Sequence, residues 1–169
     1  MDDFEKKKEK LLYPIFFEAG AGLYDSQDFE YSLKYLLFLI SKATNTKIPV
    51  EETVKYLDDE TKKTTGQLFN LLKKNMDLHP VMEELILESI NARNILIHHY
   101  LTDNAERMSQ IQNQKTIIQE IRELRKKIIK GNECLEPIIE GLAKIFDNYD
   151  VQKGKDQMKS NFLHQFGPD

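Results

Sequence analysis

Residues 86–100 read Ile-Leu-Glu-Ser-Ile-Asn-Ala-Arg-Asn-Ile-Leu-Ile-His-His-Tyr, and the winding of this stretch decides what the chain can be. Ile86, Ile90, Arg93, Ile97 and Tyr100 recur at spacings of four, three, four and three, the repeat of one face of an α-helix. An arginine therefore sits in the middle of an apolar stripe. Burying a guanidinium is costly unless it is paired. Either a carboxylate such as Glu88 or Glu30 meets it, or the stripe faces a cleft or another subunit. A polar ladder runs beside this stripe: Asn91, Asn94, His98 and Thr102. Arg93 and His98 are five residues apart, about 140° around an ideal helix. On one straight helix they point in different directions. Bringing them to one phosphate requires a bend near His98 or two copies face to face. A two-fold dimer would pool two arginines and two histidines in one groove.

The segments around this stretch carry the same helical repeat. The pattern predicts a helix over 2–18, stopped by the Ala-Gly-Ala-Gly of residues 19–22, since glycine commonly ends helices. A central helix follows over about 24–42, with Leu33, Leu36, Leu37 and Ile40 at helical spacing. Residues 44–47 form a loop, and Pro49 opens a short acidic helix through Asp58. Leu68, Leu71, Leu72 and Met76 mark a helix over 64–76, broken by His79-Pro80. A long helix runs from Pro80 to about Met108. Another begins near Asn113 and reaches at least Lys130, with Ile117, Ile121, Leu124 and Ile128 as its inward stripe, and a last one covers 135–148 with Leu135, Ile138, Ile139, Leu142 and Ile145. No segment alternates as a strand does, and hairpin turn dipeptides are absent. The expectation is an all-α, up-and-down helical bundle of about five to seven helices. It comprises a single domain over 1–149 and a polar, loosely held tail over 150–169.

Length and composition agree with this. The 169 residues are enough to bury a core without staples. Charged residues make up 31% and are mixed in sign, which describes a globular chain rather than a disordered one. One cysteine, Cys134, allows no internal disulfide. There is no signal-peptide pattern at the start, and the longest apolar run, 35–40, is too short to cross a bilayer. The reading is a cytoplasmic protein with no membrane partner. The net charge of −4 argues against a general polyanion binder but leaves room for a local patch. One such patch holds Lys115, Arg122, Arg125, Lys126, Lys127 and Lys130 against Glu120 and Glu123, although a solvated helix face explains it more simply.

Arg93-x4-His98-x-Tyr100, with Asn94 directly after the arginine, resembles the signature of the HEPN superfamily (higher eukaryote and prokaryote nucleotide-binding domains). The layout is similar too: an early helix, a central apolar helix, then the motif late in the bundle. The resemblance implies a small helical bundle, often a homodimer, and in many members a metal-independent endoribonuclease with no cofactor. The tyrosine two residues after the histidine is similar to the toxin branch paired with a minimal nucleotidyltransferase. There the antitoxin attaches AMP to the tyrosine, and Tyr100 is the matching position.

The chemistry asks for few parts. A base takes the proton of the 2′-hydroxyl, an acid protonates the leaving 5′-oxygen, and a cation steadies the phosphorane. Histidine suits the proton transfers and arginine the phosphate. The expected catalytic residues are therefore His98 and Arg93. Asn94 would orient His98 or bind phosphate, and His99, about 100° away, is a secondary substrate contact. His79 and His164 read as surface residues. The expected partners are RNA, a second copy of the chain and a nucleotidyltransferase-type antitoxin, in a toxin–antitoxin or phage-defence setting. The competing reading is a non-catalytic HEPN-like module that binds a nucleotide, RNA or a partner protein. A bare dimerisation scaffold is a third.

Overall fold

The computed structural model describes residues 3–43, 46–60 and 63–146. The expected tail over 150–169 and His164 lie outside these residues. Helix α1 spans Asp3–Ser41 without interruption and contains Pro14. The stop expected at residues 19–22 is absent. No described glycine has a positive φ, so neither glycine reverses the chain. Gly22 instead permits close packing: a Cβ there would overlap the Leu96 side chain and come within 3.2 Å of Arg125 Cγ. Gly20 faces open space. The same holds at the other end of the chain. Helix α7 runs through Gln114–Phe146, including Pro137, where the sequence suggested two helices. Gly131 lies directly under the Ser89 side chain and Phe29. Glycine in mid-helix costs about 1 kcal/mol, and here that cost permits close approach between helices.

Between them stand α2 (Val50–Leu57), α3 (Thr65–Asn75) and α4 (Pro80–Asn94). Pro49 precedes the first turn of α2. Thr64 opens α3 with a capping box: Gln67 N–H donates to Thr64 Oγ1 at 3.2 Å, and Thr64 N–H donates to Gln67 Oε1 at 2.9 Å. His79 caps α4, its Nδ1 accepting from Val81 N–H at 3.3 Å, and Pro80 takes the first helical position.

The three long elements run up, down and up. Gln114 donates to the carbonyls of Lys10 and Leu11, and Asn132 to Asp28, so α1 and α7 are parallel. Ser89 Oγ donates to the Lys127 carbonyl while Tyr100 reaches the Ile117 carbonyl, so the α4 segment runs against α7. Their facing stripes form one core that includes Phe29, Leu33, Leu36, Leu37, Ile86, Ile117, Ile121 and Leu135. Helices α2 and α3 cover it with Tyr56, Leu68, Phe69 and Leu72. The protein is an all-α helical bundle, with no strand among the described residues. None of the described helices is long and apolar enough to cross a membrane.

The helix expected over 80–108 changes its winding. After Asn94 it becomes a π-helical turn, Ile95–Tyr100, then the short α5 (Leu101–Asp103) and α6 (Ala105–Met108), and a 3₁₀ turn at Ile111–Asn113. A clasp holds this stretch to α7. Arg107 Nη1 and Nη2 donate to the two oxygens of Glu120 at 3.1 and 2.8 Å, and the Tyr100 hydroxyl donates to the same carboxylate.

Candidate functional site

The π-helical turn supplies what a straight helix could not. A π-helix bonds residue i to i+5 rather than i+4, so side chains five apart are brought toward one face. Arg93 Nη1 and His98 Nε2 lie 3.1 Å apart within one chain. A straight α-helix would have needed a bend or a second subunit to make this contact, and the wider turn makes it within one chain. Because a guanidinium can only donate, Nε2 is the acceptor. The His98 proton is accordingly assigned to Nδ1.

Arg93 has a carboxylate partner as well. Nη2 donates to Glu30 Oε2 at 3.2 Å, and the arginine side chain is 20% exposed. Glu30 also meets Lys34 Nζ at 3.1 Å and accepts from Thr65 Oγ1 at 3.1 Å. Lys34 in turn pairs with Asp59, a residue in the left-handed backbone region with φ 54°. Burial favours the neutral form of Lys34, but the bonds to Asp59 and Glu30 outweigh it and hold its pKa above the ordinary lysine value. Helices α1 and α4 and the α2–α3 connection thus share one charged chain that ends at His98. It borders a cleft of about 480 Å³ lined also by Tyr24, Tyr31, Asp28 and Ile97. Arg93 therefore has both a carboxylate partner and a cleft.

The other residues singled out by sequence divide. Asn94 meets Arg93 rather than His98, its Oδ1 accepting from Nη1 at 3.3 Å. His99 is exposed and stands edge-on to His98, ring centroids 6.3 Å apart. Tyr100 points into the bundle, buried, with its hydroxyl on Glu120. Burial and that carboxylate push its pKa well above the ordinary tyrosine value. Half of the basic patch is paired: Arg122 and Arg125 both bind Glu18, Arg125 also binds Asp25, and Lys126 binds Glu123. Cys134 is half-buried with its thiol toward the Gly131 carbonyl, and burial pushes its pKa up. Among the described residues, no three His, Cys, Asp or Glu side chains are grouped to hold a metal ion.

Sequence reasoning passed over Lys34, Asp59, Tyr24 and Tyr31. A signal existed for Lys34, a lysine one turn after Glu30 within the most apolar helix. Comparison of the chain with protein-family models, with curated proteins and with solved structures finds no match.

Proposed function

We propose that the chain is a metal-independent endoribonuclease of HEPN type. The observation that carries this reading is the contact of Arg93 Nη1, near the end of α4, with Nε2 of the exposed His98 in the π-helical turn at 3.1 Å. π-Turns within helices are frequent at functional sites. In the resting pair the guanidinium occupies the His98 lone pair. A bound phosphodiester would take over Nη1 and release Nε2 to accept the 2′-hydroxyl proton. The 2′-oxygen then attacks phosphorus and the bond to the 5′-oxygen breaks. Arg93 neutralises the charge that builds on the non-bridging oxygens. Glu30 keeps the guanidinium aimed, as an orienting carboxylate does. The products are a 2′,3′-cyclic phosphate and a 5′-hydroxyl, and the proton on the 5′-oxygen comes from a second histidine.

A homodimer would supply that histidine. Tyr13, Phe16 and Phe17 stand 64%, 49% and 63% exposed on the first half of α1, and clustered exposed aromatics of this kind favour an interaction surface. Under the toxin–antitoxin reading, a nucleotidyltransferase-type antitoxin would modify Tyr100. Its buried ring would first have to leave the bundle together with the hydroxyl on Glu120, so silencing would act by displacing the ring that anchors the π-turn. The Glu30–Arg93 pair favours a second reading, a non-catalytic module that binds a nucleotide, RNA or a partner, because it already engages one arm of the guanidinium.

The test is cleavage of single-stranded RNA in excess chelator, with the product ends identified. Chelator-resistant cleavage that leaves 2′,3′-cyclic phosphate and spares 2′-deoxy substrates supports the nuclease. Tight RNA binding with no cleavage supports the second reading.

A further inference from the structure

Phosphate recognition accounts for Arg93 but not for the rest of the cleft. Tyr24 and Tyr31 line it while standing 68% and 54% exposed. Seven residues apart on α1, they are separated by about 10 Å along its axis. Asp28 and Asp59 line the same cleft, and carboxylates repel a phosphate chain. A nucleobase makes use of both kinds of residue. Its π-face stacks on an aromatic ring, worth about tenfold or more in affinity per base, and its edge is read by hydrogen bonds. Among the carboxylates, Glu30 is already held by Arg93, Lys34 and Thr65, and Asp28 accepts from Asn132 at 2.7 Å. Asp59 binds Lys34 through Oδ1 but its side chain is 79% exposed.

Building on the nuclease reading, we infer that this cleft holds one unpaired base of the RNA, stacked on Tyr24 or Tyr31, with guanine preferred through Asp59. Guanine is the RNA base whose Watson–Crick edge presents two adjacent donors, N1–H and the 2-amino group, that one carboxylate accepts together. Pairing hides that edge, so the substrate is single-stranded. The base beside Arg93 places its phosphate on the Arg93–His98 pair.

The experiment titrates the full chain with 2′-O-methyl uridine hexamers carrying one guanosine, one adenosine or one N1-methylguanosine, read by fluorescence anisotropy. The 2′-O-methyl groups block cleavage, so the result does not depend on His98 chemistry. The guanosine hexamer should bind about tenfold tighter than either of the others, the size of a bidentate contact. Tyr24→Ala with Tyr31→Ala should weaken all three about tenfold. Asp59→Asn keeps a residue that tolerates the left-handed region and should bring guanosine down to the adenosine level. Equal binding of guanosine and N1-methylguanosine by the unaltered protein overturns the inference, whatever the variants do. Unchanged affinities in the double tyrosine variant, or an unchanged preference in Asp59→Asn, overturn it as well. Cleavage of plain RNA that needs His98 but ignores base identity defeats this inference alone. Guanosine-selective binding without His98-dependent cleavage defeats the nuclease reading alone.

Discussion

Gly22 of α1 lies directly against Leu96 in the π-helical turn, with no room for a methyl group between them. This contact lets α1 approach the turn that pairs Arg93 with His98. Gly22→Ala forces Leu96 or the α1 backbone to shift, and overpacking of this kind costs about 1–3 kcal/mol. Gly20→Ala meets open space and should stabilise by up to about 1 kcal/mol from helix propensity. Thermal melting of the two variants separates the effects. A Gly22→Ala protein as stable as the parent would mean that the close approach is not a constraint.

Gly131 against Ser89 is the same device on α7. Ser89 is fully buried and its hydroxyl donates to the Lys127 carbonyl at 2.7 Å. Gly131→Ala displaces the serine and strains that bond, so a loss of about 2–3 kcal/mol is expected. Urea denaturation gives the value. A change within 0.5 kcal/mol, the usual range for a surface site, would show that α4 and α7 do not pack this tightly in solution.

These two glycines also explain where sequence reading stopped. Both sit where a helix-stop residue is expected, and a local pattern does not distinguish a glycine that ends a helix from one that lets another helix approach. The apolar stripes over 33–40, 64–76 and 117–128 were legible because periodicity reports burial directly, so the helical bundle follows from them. The Arg93 stripe was legible for the same reason. The position of His98 was not, because the wheel assumes an α-helical repeat and residues 95–100 depart from it. Asp59 and the tyrosines gave no local sign, since only the folded chain brings them to Arg93.

Acid should weaken the α1–α7 contact in a defined way. Arg122 and Arg125 hold the pKa of buried Glu18 below the ordinary carboxylate value even against burial, and Arg107 and Tyr100 do the same for Glu120. A folded-state pKa below the unfolded one adds stability that is present in full at neutral pH and lost as pH falls below about 4. Glu18→Gln should therefore cost about 2 kcal/mol at pH 7, a charge-assisted bond discounted for the half-exposed Arg122. Its urea midpoint should also fall less steeply between pH 6 and pH 3 than that of the parent. Parallel pH profiles would remove Glu18 from the account.

Tyr100→Phe removes the hydroxyl from Glu120 but leaves the ring and the Arg107–Glu120 pair in place. The expected cost is about 1 kcal/mol, with RNA cleavage retained, because Tyr100 touches neither Arg93 nor His98 in the observed geometry. Stability unchanged but cleavage abolished would assign the hydroxyl a chemical role.

The most direct test of the central claim is the cleavage rate of single-stranded RNA, in chelator, by His98→Ala, His99→Ala and Arg93→Ala proteins of verified fold. Loss of a general base or acid costs about 10²–10⁴ in rate. The account predicts a loss of that size for His98→Ala and Arg93→Ala, and less than about tenfold for His99→Ala, whose ring meets only the edge of His98. Cleavage by His98→Ala at the parent rate would contradict it.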